Sequence, residues 1–152
     1  MIVHVGTPEA MRDLGAHLGA LLRAGDLVVL DGPLGAGKTT LTQGIAEGLK
    51  VRGPITSPTF VIARTHPSVV NGPALVHVDA YRINTWDELD DLGFAFDVDA
   101  SVIVAEWAAD RMNDIAENRL VVHIVRNDDE VRDVTIDAVG ERWVGVDVPA
   151  RH

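Results

Sequence analysis

Glycine, lysine and threonine meet in one short run, Gly32-Pro33-Leu34-Gly35-Ala36-Gly37-Lys38-Thr39, which fits G-x-x-x-x-G-K-[ST]. Residues of these types at this spacing make a phosphate site, the P-loop. Glycines allow backbone conformations that a Cβ would block. The successive amides around Gly35, Ala36 and Gly37 can therefore point into one anion-sized nest. A helix starting near Lys38 aims its positive dipole end at the same spot. Lys38 supplies a point charge for β- and γ-phosphates. The Thr39 hydroxyl is placed to ligate Mg2+, and Thr40 stands next to it as a partner for an α-phosphate. Only two lysines occur in the chain, Lys38 and Lys50, so one inside a glycine-rich loop stands out.

Such a loop needs a carboxylate at a nearby strand end to hold Mg2+ directly or through water. Two acids qualify. Asp79 ends the apolar run Leu75-Val76-His77-Val78, and Glu106 ends Val102-Ile103-Val104-Ala105. Spacing alone does not choose between them. The Asn-Lys-x-Asp segment that reads guanine in many GTPases is absent, because one lysine is in the loop and the other follows Leu49. ATP, with ADP as its product, is the nucleotide expected by elimination.

The elements that must position these residues are legible in outline. Thr7-Pro8-Glu9 is a helix start, with Thr as N-cap, Pro in the first turn and an acid beside it. Met11, Leu14, Leu18, Leu21 and Leu22 follow at helical spacing, and Gly25 is the expected stop. Gly15 and Gly19 lie inside this helix and weaken it, a cost that close packing can offset. Residues 27–30 read as a strand buried on both faces, and Leu41, Ile45 and Leu49 mark a helix after the loop. Further strands are expected at 60–64, 75–79, 102–106, 120–125 and 134–139. The last two flank the polar turn Asn127-Asp128-Asp129-Glu130 and form an antiparallel hairpin. Helical turns are expected around 85–92 and 108–115. No linker or repeat divides residues 1–152, so a single domain is expected.

The formal net charge is −10, with 47% hydrophobic and 24% charged residues, which is globular rather than disordered. The acidic balance argues against tight direct binding of nucleic acid or of an anionic membrane surface. The chain has no cysteine, which excludes disulfides, Cys-ligated zinc and Cys nucleophiles. Met1-Ile2-Val3-His4 does not open a signal peptide, and no apolar run approaches the ~20 residues of a membrane span. A cytoplasmic protein is expected. None of the six histidines forms a metal-ligand spacing. His77 is read either as a motif residue or as a buried, hydrogen-bonded strand histidine. Arg64 and Arg82 can neutralise transition-state charge or form surface ion pairs. Arg111 and Arg119 faintly resemble the lid arginines of a small kinase. Asp87, Glu88, Asp90, Asp91, Asp97 and Asp99 form an acidic cluster read as a solvated face, with Trp86 beside it as a candidate partner contact.

Five pieces together resemble one family. They are the loop Gly32 to Thr40, Ser57-Pro58-Thr59-Phe60, His77-Val78-Asp79-Ala80-Tyr81-Arg82, Asp91-Leu92-Gly93 and Glu106-Trp107. Their order and separations resemble the TsaE (YjeE) family, bacterial P-loop ATPases needed for threonylcarbamoyladenosine in tRNA. The resemblance runs from about Thr7 to the final hairpin. It implies a three-layer α/β P-loop NTPase with a mixed, mostly parallel central sheet and a C-terminal antiparallel hairpin. It implies that Glu106 joins the Thr39 hydroxyl on Mg2+. Asp79 would lie near the γ-phosphate and serve turnover. Thr59 would be the polar contact of a switch-like segment, Trp107 would adjoin the metal, and Thr7 and Arg132 would touch the base. The partners it implies are TsaD-type and TsaB-type proteins, with slow ATP hydrolysis resetting their complex. The chain departs from the family after Phe60, where it reads Val61-Ile62-Ala63-Arg64, and at Ala80, where a larger apolar residue is usual. Two other readings stay open, a small-molecule kinase on the same fold and a non-catalytic nucleotide-sensing subunit.

Overall fold

Leu27-Val28-Val29-Leu30 has no polar position for either face, and the chain buries it accordingly at the centre of a seven-stranded sheet. The computed structural model describes residues 2–33, 37–53, 55, 63–79, 100–106, 118–127 and 131–151. In chain order the elements are β1 (Val3–Val5), α1 (Pro8–Leu21), β2 (Leu27–Asp31), α2 (Lys38–Leu49), β3 (Ala63–His66), β4 (Ala74–Asp79), β5 (Ser101–Glu106), β6 (Arg119–Arg126) and β7 (Arg132–Val139). A 3-10 turn, Glu141–Trp143, follows.

The strand order is β1-β7-β6-β2-β5-β4-β3. The four central strands, β6-β2-β5-β4, run parallel, and β1, β7 and β3 are added antiparallel at the margins. The expected hairpin is β6–β7, paired from Arg119↔Val139 to Arg126↔Arg132. The sheet is thus parallel around the glycine-rich loop and antiparallel toward the C-terminus, an α/β P-loop fold. No helix among the described residues is long and apolar enough to cross a membrane.

One face of the sheet, with Val28, Leu30, Val104, Leu120, Val122 and Ile136, carries the main core under α1 and α2. Val29, Val76, Val78, Ile103, Ala105 and Val121, which alternate with these, are buried too, so the central strands are covered on both faces. The two helices meet through glycine. Gly15 lies against Gly44 and Leu41, and Gly19 against Gly48 and Ile45. Both pairs advance by four residues on each helix, so α1 and α2 run in the same direction.

Three details differ from the sequence expectation. Helix α1 ends at Leu21, before Gly25. Leu22 turns extended, with ψ 146°. The Arg142 guanidinium takes the Leu21 carbonyl (3.0 Å), while Asp26 accepts the Arg23 amide (2.7 Å) and draws the chain off its helical path. Gly25, at φ 91°, serves the turn into β2 instead. The strand expected at 60–64 is described from Ala63 and continues to His66. Strand β1 has no counterpart in the sequence reading, because three residues are too few for a periodic signal. The helical turns expected at 85–92 and 108–115 lie outside the described residues.

Candidate functional site

The parallel strands β2, β4 and β5 all end at one edge of the sheet, and in open α/β sheets that edge is where ligands bind. Glu106 is the last residue of β5, in register with Leu30 on β2 and with Asp79 on β4. The loop that leaves β2 enters α2 at Gly37. Gly37 is the N-cap in the left-handed region (φ 104°), and the Leu41 amide donates to its carbonyl (2.9 Å). A side chain there would be strained by the backbone, and its Cβ would sit 3.2 Å from the end of Met11.

A cavity of about 320 Å³ opens at this edge. Gly37, Lys38, Thr39 and Thr40, from the start of α2, form one wall with Glu106. Val5, Thr7, Pro8 and Met11, from the end of β1 and the start of α1, form the other with Arg132. The volume falls within the range of small-ligand sites. Because α1 and α2 are parallel, both helices present their N-termini, with their positive dipole ends, to the same space.

Each side chain has a local anchor. Lys38 Nζ donates to the Gly32 carbonyl at 2.9 Å, across the base of the loop. The Thr42 hydroxyl, fully buried one turn on, donates back to the Lys38 carbonyl at 2.8 Å. Thr7 caps α1, its hydroxyl accepting the Ala10 amide at 3.1 Å. Arg132 opens β7 and faces Val5 in the β1–β7 register.

Glu106 is 9% exposed. Burial pushes its carboxyl pKa up. The neighbouring His77 imidazole and, after it, the charge of Lys38 more than offset this and leave it lowered. His77 Nε2 stands 3.8 Å from Glu106 Oε1, just beyond hydrogen-bond distance. An ionised carboxylate and a threonine hydroxyl on one cavity are hard oxygen donors of the kind Mg2+ takes. Among the described residues no cluster of three or more His, Cys, Asp or Glu could hold a metal ion by itself. This donor pair therefore suits an ion shared with a phosphate ligand.

Of the residues expected from sequence, the structure gathers Thr7, Gly37, Lys38, Thr39, Thr40, Glu106 and Arg132 around one cavity. Asp79 is at the same sheet edge by backbone register. Gly35, Ala36 and Thr59 lie outside the described residues, as do Trp86, Trp107, Arg82, Arg111 and the rest of the switch-like segment. Arg119 starts β6, at the opposite end of the parallel strands from Glu106, so it is no lid over this site. Sequence reasoning missed Val5, Pro8 and Met11 as cavity walls. Pro8 and Met11 read only as a helix start and a core position, and Val5 belongs to the unanticipated β1. It also missed His123, whose two ring nitrogens bridge Asp31 and Asp137 at 3.0 Å each, next to the root of the loop.

A family model described as "Threonylcarbamoyl adenosine biosynthesis protein TsaE" matches residues 5–134. The chain is 56% identical over 143 residues to a tRNA threonylcarbamoyladenosine biosynthesis protein TsaE of Streptomyces coelicolor, covering 91% of this chain and 97% of that one. It is 37% identical over 137 residues to the protein of the same name from Bacillus subtilis, covering 90% and 84%. Among solved structures it is similar to Bacillus YdiB, with a TM-score of 0.75 and 31% identity over 95% of this chain and 88% of that one.

Proposed function

The chain belongs to the TsaE family, and on that footing we propose that it binds ATP with Mg2+ and hydrolyses it slowly in support of threonylcarbamoyladenosine modification of tRNA. One observation carries the reading. Lys38, Thr39 and Thr40 at the start of α2 share a cavity with Glu106 at the end of β5. The amides at the start of α2 hold the phosphate chain. Lys38 exchanges the neutral Gly32 carbonyl for anionic phosphate oxygens, a contact between opposite charges. Thr39 and Glu106 would hold Mg2+, which would supply neutralising charge to the phosphates. Thr7 and Arg132, on the far wall, contact the nucleoside. Gly35 and Ala36 complete the phosphate nest, Thr59 contacts the nucleotide from the switch-like segment, and Asp79 serves turnover near the γ-phosphate.

Turnover by the isolated chain is slow, and the partner complex stimulates it. The chain acts in the cytoplasm on a partner complex of TsaD-type and TsaB-type proteins, and hydrolysis resets that complex between cycles. Reconstituted tRNA modification with Lys38→Ala or Glu106→Ala tests the assignment. Loss of modification with both variants is expected, and normal modification with either removes the site. ATP left unconsumed by wild type in the presence of the complex would favour a nucleotide-sensing subunit. A phosphorylated metabolite would favour a kinase.

A further inference from the structure

His77 is a strand histidine with no exposed surface, and neither ring nitrogen has a hydrogen-bond partner among the described residues. It lies on the α-helical side of the sheet, alternating with Val76 and Val78, on the same face as Leu75 of the main core. A leucine or phenylalanine would fill such a position without burying unpaired nitrogens. An imidazole there carries a desolvation cost that only a bonded state recovers. The acceptor beside it is Glu106. The β4–β5 register sets His77 against Val104, and Glu106 is two residues further on the same face. The gap from Nε2 to Oε1 is 3.8 Å, which a turn of the carboxylate by less than about 1 Å would close to a hydrogen bond.

We propose that His77 is a positioning residue for Glu106, donating its Nε2–H to Oε1 and so holding the other carboxylate oxygen for the metal. The inference rests on the reading of Glu106 as a Mg2+ ligand. Partners of this kind fix the orientation of a ligating group and raise its affinity for the ion. The neutral imidazole suffices as donor, so the effect does not depend on charging the ring. His77 is fully buried and is not among the residues lining the cavity, so its loss weakens metal binding without weakening metal-free nucleotide binding.

The test uses the full chain with Mn2+ and ADP as probes, in wild type, His77→Phe, His77→Leu, His77→Gln and Glu106→Gln. Three quantities are read: Mn2+ affinity of the ADP-bound protein, ADP affinity in EDTA, and the unfolding temperature without metal. Both apolar variants should lower Mn2+ affinity about tenfold or more while ADP affinity in EDTA stays within about twofold. Their metal-free unfolding temperature should not fall, because two unpaired polar atoms have been removed from an apolar site. The Gln variant, whose amide nitrogen reaches about as far as Nε2, should recover most of the Mn2+ affinity. Having two apolar variants keeps the comparison valid if the larger ring is not accommodated. Mn2+ affinity unchanged in the apolar variants, with Glu106→Gln weakened as expected, overturns the role of His77 alone. A lowered unfolding temperature with unchanged Mn2+ affinity marks a purely structural histidine and has the same consequence. Unchanged Mn2+ affinity in Glu106→Gln overturns the metal reading itself, and the His77 inference with it.

Discussion

Replacing Gly44 by alanine should destabilise the chain, although alanine is the better helix former. A Cβ at Gly44 would fall far inside contact distance of the Arg12 carbonyl oxygen and 2.9 Å from the Gly15 Cα. These are backbone atoms of the opposing helix, so no side chain can swing away. Relief requires α1 and α2 to part by about 1 Å along a contact that also includes Gly19 and Gly48. A radial gap of 0.5–1 Å forfeits roughly a quarter to a half of each dispersion contact. Leu14, Leu18, Leu41 and Ile45 in the shared core all lose by it. Overpacking of this kind costs roughly 1–3 kcal/mol and sometimes more, and with rigid backbone on both sides the upper end applies, about 3–4 kcal/mol. Alanine returns about 1 kcal/mol in helix propensity. The net is a loss of about 2–3 kcal/mol, or roughly 4–12 °C in unfolding temperature for a chain of this length. Circular dichroism melts and urea titrations of Gly44→Ala and Gly15→Ala measure it. Gly6→Ala is the control, since its Cβ would meet nothing within 4 Å. Nucleotide affinity should fall as well, because the two helix starts form opposite walls of the cavity. An unfolding temperature at or above wild type for Gly44→Ala would mean that propensity outweighs the clash and that the glycine contact is not what holds the helices.

Thr7→Ala should cost about 1 kcal/mol of stability through loss of the α1 N-cap, and nucleotide affinity measured by calorimetry should drop with it. Arg142→Met leaves Asp26, whose side chain is 6% exposed, without the arginine that meets it at 3.0 Å. Breaking a buried pair costs about 3–5 kcal/mol, so denaturant titration should show a large loss of stability while metal-free nucleotide affinity, read on the folded protein, stays unchanged. The lowered pKa of Glu106 gives a pH dependence. Its unfolded-state carboxyl binds protons more readily than the folded one, so its contribution to stability is fully present above 4.5 and is lost as pH falls through the folded value. Urea titrations across that acid window should show wild type losing more stability than Glu106→Gln; equal slopes would deny the shift.

The site was partly legible because its chemistry is local. Lys38, Thr39 and the strand and helix around them lie within one run, and Glu106 ends an apolar strand of its own. What escaped depends on contacts between distant segments. Thr7 and Arg132 are tied to the site only through the family resemblance, although Thr7 is legible as a helix N-cap. They share a cavity because β1 pairs with β7 and sets Val5 opposite Arg132, and β1 is too short to announce itself. Gly15 and Gly19 could be flagged as costly in a helix, yet their partners Gly44 and Gly48 are identifiable only once α1 and α2 are known to run parallel. The Asp31–His123–Asp137 bridge has no spacing signature at all, since it follows from β2 lying beside β6 and β6 beside β7. For His77 the sequence leaves two readings, a motif residue or a buried, hydrogen-bonded strand histidine; it is buried, and among the described residues neither ring nitrogen has a hydrogen-bond partner.

A chain of net charge −10 must still attract a polyanion to one place. Side-chain cations alone are a poor means, because among the described residues only Lys38 and Arg132 bring positive charge to the cavity lining and the remaining acids oppose them at long range. Helix ends supply the difference at short range, where salt screens least. A single N-terminus contributes about half an elementary charge. The parallel glycine contact brings a second one to the opposite wall without adding any residue that would attract nucleic acid elsewhere on the surface. On this view the four glycines serve recognition as well as packing. Spreading α1 from α2 should then weaken ADP binding more than loss of the Thr7 hydroxyl alone, with a deficit that persists at high salt. A deficit in Gly44→Ala that vanishes as salt is raised would assign the effect to exposed side-chain charge and remove the helix ends from the account.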